Sequence, residues 1–74
     1  MKYVYAVLVI TYGKPLMQTY LSESRLTKRL IFDKIVLTEN ERIKYHDYIT
    51  ENEILKDLNM FYPIQVEIQE VEVE

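Results

Sequence analysis

The chain has one histidine, His46, set in the run Tyr45-His46-Asp47-Tyr48. A general base needs a second group within hydrogen-bond reach, and on a helix the neighbouring Asp47 points to a different side. The chain has no cysteine and a single glycine, which removes thiol chemistry and Gly-rich phosphate loops. His46 therefore reads as a surface or interface histidine, and no catalytic residue is expected. The two Thr-Glu-Asn-Glu runs at 38–41 and 50–53 lack the glycine that lets calcium ligands converge on one point. Their carboxylates read better as helix-start residues favoured by the helix dipole, so neither a metal nor a cofactor is expected.

Charge offers two further chemistries. Arg25, Lys28 and Arg29 stand at helical spacing i, i+3 and i+4 and would share one side of a helix. They are candidate phosphate contacts, and Tyr3, Tyr5 and Tyr20 on a sheet face would suit base stacking. The net charge of −3 opposes this, since non-specific nucleic-acid binders are typically basic. Charge is also split along the chain: residues 1–34 carry +4 and residues 35–74 carry −7. In the acidic part Glu39, Glu41, Asp47, Glu51, Glu53, Glu67 and Glu70 are candidates for one continuous face that meets a basic groove on another protein.

These residues must be held by a small α+β domain spanning 1–74. Lys2–Tyr12 is rich in β-branched and aromatic residues without helical period, which predicts a central strand buried on both faces. Gly13-Lys14 then fits a two-residue hairpin turn, and Pro15 opens the return strand Leu16–Leu21 at a sheet edge. That turn places Ile10 opposite Met17, Leu8 opposite Thr19 and Ala6 opposite Leu21. Val4, Ala6, Leu8 and Ile10 become an aliphatic face and the expected seat of the helices. The opposite face collects Tyr3, Tyr5, Val7, Val9, Thr11, Leu16, Gln18 and Tyr20.

Beyond Leu21, Ser22 or Ser24 is a candidate N-cap for a helix reaching about Leu37. Leu30–Leu37 is apolar nearly all round except for Asp33 and Lys34; a buried helix and a short strand both fit, with helix preferred. LTENERIK at 37–44 and ITENEILK at 49–56 each place Thr three residues before Glu, the reciprocal capping box of a helix start. Ile54, Leu55, Leu58, Phe61 and Tyr62 then keep helical spacing, and Pro63 ends the helix. Ile64–Glu74 alternates as a strand with a phase slip at Glu70, which a β-bulge or passage beyond the core would explain. Glu67, Glu70, Glu72 and Glu74 mark it as an edge guarded by charge. The resulting order is β-β-α-α-β: a mostly antiparallel three-stranded sheet, order 2-1-3, with two or three helices packed on one face.

A chain of 74 residues sits near the lower limit for a lone hydrophobic core and usually needs a disulfide, a metal or a second copy. Elimination leaves a homo-oligomer, dimer favoured, with Tyr3, Tyr5, Val7, Val9 and Tyr20 as the expected self-association surface. The apolar run at 3–12 is too short for a membrane-spanning helix, so a cytoplasmic protein without membrane contact is expected. Phe, Tyr, Met, Ile, Asn and Lys number 29 against 7 for Gly, Ala, Arg and Pro, a bias of AT-rich coding sequence.

With its hairpin KYVYAVLVITYGKPLMQTYL, helical middle and terminal strand YPIQVEIQEVEVE, the chain resembles the small accessory proteins of AT-rich viruses, bacteriophage or archaeal. The resemblance implies a non-enzymatic protein, often dimeric, that binds and inhibits or modulates a host protein inside the host cell. A host protein with a basic surface is then the expected partner. The alternative reading is a nucleic-acid- or nucleotide-binding dimer using the basic helix face and the sheet tyrosines.

Overall fold

A computed structural model describes residues 2–73; Glu74, expected in the last strand, lies outside them. Strands β1 (Lys2–Thr11), β2 (Lys14–Ser22) and β3 (Ile64–Val73) form one antiparallel sheet in the order β2-β1-β3. Between β2 and β3 run helix α1 (Lys28–Ile31), which continues as a π-helical segment over Phe32–Val36, then α2 (Glu39–Lys44) and α3 (Glu51–Leu58). The α+β class, the strand order and the helical state of 29–36 match the sequence expectation.

The hairpin differs by one turn position. The two turn residues are Tyr12 and Gly13, both at positive φ (51° and 75°), as a type I′ turn requires. Ile10 therefore pairs with Pro15, Leu8 with Met17 and Ala6 with Thr19. A shift of two residues leaves every side chain on its expected face. Tyr12 tolerates the left-handed conformation because its N–H donates to the Pro63 carbonyl (3.2 Å) and its ring stacks on Tyr62.

The helical layer starts later than expected. Ser22 closes β2 and its hydroxyl bonds the Ser24 backbone. The cap of α1 is Thr27, whose side chain accepts from the Leu30 N–H. In the π-helical segment the Leu37 N–H reaches Phe32 O (2.9 Å) instead of Asp33 O. The Asp33 carbonyl thus released accepts from Arg42 (3.1 Å), tying α1 to α2. Thr38 forms the full capping box with Glu41, while Thr50 caps Glu53 N–H and its hydroxyl donates to the Glu53 carboxylate. Helix α3 ends at Leu58, before Pro63, and Phe61 is exposed. Asn59 joins this end to the sheet: its side-chain oxygen accepts Ile64 N–H (3.2 Å) and its amide donates to Ile64 O (3.1 Å).

The helices cover the face opposite to the one expected. Tyr5 (1% exposed) and Val7 (0%) are buried under Ile31. A second cluster joins Phe32, Leu37, Tyr45, Ile54, Leu58 and Ile64, and Val9, Val36, Val66 and Ile68 pack against both clusters. The cause is the β1–β3 register. Val7 pairs with Ile68, Val9 with Val66 and Thr11 with Ile64, so the apolar side of β3 falls on the tyrosine side of β1. That register runs without a bulge through Glu70 to Val73. Val71 and Val73 change parity because they belong to the other face, with Val4.

Candidate functional site

The residues expected to do chemistry are dispersed by the fold. His46 and Asp47 do meet, Nε2 to Oδ1 at 3.0 Å, contrary to the sequence expectation, because the chain leaves the helix at Tyr45. Both side chains are exposed, and His46 Nδ1 lies 2.9 Å from the Ile43 carbonyl. The pair lines no enclosed cavity. Among the described residues no three metal-ligating side chains converge.

The basic trio is likewise divided. Arg29 is no surface cation: it donates to the Tyr45 and Tyr48 carbonyls (2.9 Å each) and pairs with Asp33. It holds the end of α2 against α1, where a cation also meets the negative end of the helix dipole. Arg25 pairs with Glu70 through both carboxylate oxygens (3.3 and 3.2 Å), which raises its pKa further. Of the three, only Lys28 is exposed without such a bond to another described residue. The stacking platform goes too, since Tyr5 is in the core and Tyr20 is half-buried beneath Lys34.

The expected self-association surface of Tyr3, Tyr5, Val7, Val9 and Tyr20 is instead largely covered within the subunit. Tyr5 and Val7 are buried within the subunit, and Tyr3, Val9 and Tyr20 pack against those core clusters. The acidic set does not form one face either. Alternation along β3 sends Glu67 and Glu70 to opposite sides of the sheet. Glu41 accepts the Thr38 N–H and the Tyr62 hydroxyl, and Glu53 serves as the cap partner of Thr50. Glu39 and Asp47 are exposed, and Glu51 is half-buried at the start of α3.

Two features remain. A cleft of about 420 Å³ opens beside α1, floored by Tyr5, Ile31 and Ile68 and rimmed by Arg25, Lys28 and Glu70. Tyr5, Arg25 and Glu70 are joined through the Glu70 carboxylate. The Tyr5 hydroxyl accepts from Leu26 N–H (2.7 Å) and donates to Glu70 (2.9 Å), and burial pushes its pKa up. Of the rim residues only Lys28 makes no such bond, and among the described residues no buried side-chain polar atom lacks a partner.

The second feature is the sheet face left bare. Val4, Ala6, Leu8 and Ile10 run down its centre, half-exposed, with Met17 (58% exposed), Leu21 (60%) and Val71 (54%) beside them. Leu21, Val4 and Val71 lie in one row across the three strands. Gln65, Glu67 and Gln69 border the β3 side. The molecule measures 40 × 28 × 18 Å, and its shortest dimension fits one sheet and one helical layer at about 10 Å each. Its surface of 5390 Å² exceeds the about 4,900 Å² typical of a folded monomer of its mass. The sequence held a signal for the bare face: the parity of Val71 and Val73, which match Val4 and not Ile64.

No protein-family model matches the chain, and no curated protein or solved structure matches it either. Among the described residues no helix is long and apolar enough to cross a membrane.

Proposed function

We propose that this chain is a non-enzymatic binding protein that docks through its open sheet face onto another protein and modulates it. The observation that carries this reading is the uncovered aliphatic column Val4-Ala6-Leu8-Ile10 with Met17, Leu21 and Val71 around it. Contiguous apolar surface of this kind on a small domain marks an interaction site more often than ordinary solvated surface. The occupant is a protein that presents an apolar ridge flanked on one side by basic side chains. The ridge fits the β1 column, and the basic flank meets Glu67 on the β3 side, where Gln65 and Gln69 supply further polar contacts. The basic partner expected from the charge split is thereby kept, but its acidic contact narrows from seven residues to the β3 border. The resemblance to viral accessory proteins makes a host protein the natural candidate.

The test is affinity capture from host lysate with the wild-type chain and three variants. A genuine target is retained by the wild type, lost with Leu21→Asp combined with Val71→Asp, and bound more weakly and with less salt dependence by Glu67→Lys. Glu39→Lys, on the helical side, leaves it bound. Capture of no host protein, or of one that ignores the Leu21/Val71 pair and responds only to Glu39→Lys, overturns the reading.

A further inference from the structure

The two edges of the sheet are built differently, and their hydrogen-bonding groups can be assigned. In a two-residue turn the residue after the turn donates back to the residue before it, so Lys14 faces Thr11 across the hairpin. Alternation then directs the even residues of β2 toward β1 and the N–H and C=O groups of Pro15, Met17, Thr19 and Leu21 outward. Pro15, which has no N–H, sits at an outward position, as an edge strand requires. The same alternation carried through β1 turns the even residues of β3 outward. Two contacts agree with it: Tyr12 N–H reaches inward to Pro63 O, and Ile64, an outward residue, is met on both its N–H and C=O by the Asn59 side chain.

The β3 edge is therefore stopped at one end by Asn59 and guarded along its length by Glu67, Glu70 and Glu72, since like charges oppose strand pairing. The β2 edge has no such protection. Between Lys14 and Glu23 it carries no charge, it is exposed from Lys14 to Thr19, and Leu16 (57% exposed) stands bare on the helical side. A long, uncharged and apolar edge is a template for another strand.

We propose that the occupant of this edge is the β2 strand of a second copy, paired antiparallel about a two-fold axis through Gln18. That register overlaps all nine residues of β2 and is self-complementary, as a two-fold interface must be. Met17 and Thr19 exchange hydrogen bonds with the partner's Thr19 and Met17. The Leu21 N–H of each copy finds the partner's Pro15 carbonyl, so the missing proline donor costs little. On the helical side Leu16 packs against the partner's Tyr20, which covers its exposed side chain. No like charges are brought together. The product is a six-stranded sheet, β3-β1-β2-β2-β1-β3, whose two bare aliphatic faces look the same way and adjoin. This inference does not rest on the docking function proposed above.

At the centre Gln18 lies opposite the partner's Gln18 in a non-hydrogen-bonded pair, the closer of the two antiparallel spacings. Sedimentation equilibrium of the full chain is expected to return twice its 9.0 kDa mass. Gln18→Lys and Gln18→Glu, each placing like charges across the axis, are expected to sediment as monomers, and their equimolar mixture to regain the dimer. Thr19→Pro removes only an outward donor; it is expected to stay folded by circular dichroism and to be monomeric. Val71→Lys, on the open face and two strands from the β2 edge, is expected to remain dimeric. A monomeric wild type, a Gln18→Lys chain that dimerises as tightly as wild type, or dissociation by Val71→Lys without dissociation by Thr19→Pro overturns the proposal.

Discussion

The two faces of this sheet invite comparison, because β1 supplies both with apolar side chains. On the covered face Tyr5 and Val7 disappear beneath Ile31, and Val9, Val66 and Ile68 bridge to the Phe32–Ile54–Leu58 cluster. On the bare face Leu21, Met17 and Val71 keep more than half of their surface. Apolarity of β1 alone therefore does not decide which face becomes the core. The neighbours do: on one side β3 contributes Ile64, Val66 and Ile68, on the other Gln65, Glu67 and Gln69. The tyrosine hydroxyl adds to the choice, since Tyr5 reaches Leu26 N–H and Glu70 from under the helices. Burial there is possible without an orphaned polar group.

Five substitutions sharpen that contrast, beginning with the largest effect. Phe32→Ala is expected to cost about 3–5 kcal/mol, enough to unfold much of the population of so small a domain. Leu21→Ala on the bare face is expected to change stability by less than about 0.5 kcal/mol. Urea denaturation of both variants measures the difference, and similar losses would erase the distinction between the faces. Next, Arg29→Met removes charged hydrogen bonds to two backbone carbonyls and should cost about 2–3 kcal/mol, whereas Lys28→Met one position earlier should be nearly silent. Asn59→Ala strips the side chain from Ile64 N–H and C=O and is expected to cost about 1–2 kcal/mol. It should also speed exchange of the Ile64 amide, read by hydrogen–deuterium exchange.

The smallest effect is a pH dependence confined to the covered side. Burial first, and then the neighbouring carboxylate, raise the pKa of Tyr45 beside Asp57 and of Tyr62 beside Glu41, the latter to about 12 from an ordinary 10.0. In the unfolded chain these phenols ionise near 10 while the folded protein keeps their protons. Stability is thus fully present below pH 10 and falls as pH rises from there through about 12. Urea midpoints across that window check the sign, and Tyr62→Phe should flatten the slope.

Local chemistry was legible in the sequence. Thr38 and Thr50 announced their helices because a cap and its Glu lie three residues apart, and the hairpin followed from one Gly between two β-rich runs. Strand order followed from the apolar richness of β1 against the acidic β3. The covered face was not legible, since 52 residues separate β1 from β3 and a one-residue slip in their register exchanges the faces. The same long-range packing drew Arg29 inward, although its spacing with Arg25 and Lys28 suggested a shared exposed side. The cap is Thr27 and not Ser22 or Ser24 because the strand continues to Ser22, which moves the helix start further along the chain. For the candidate site, the parity of Val71 was the one local clue, and it reads correctly only once a bulge at Glu70 is ruled out.

The bare face is tested most directly by methyl NMR of the full chain with a soluble paramagnetic cosolute, which broadens groups in proportion to their exposure. Leu21, Met17 and Val71 are expected to broaden strongly and Leu8 and Ile10 moderately, while Val7, Ile31 and Ile54 stay sharp. Sharp signals from Leu21, Met17 and Val71 together with broadening at Val7 and Ile31 would place the helices on the other side of the sheet and contradict the fold's division into a covered and a bare face.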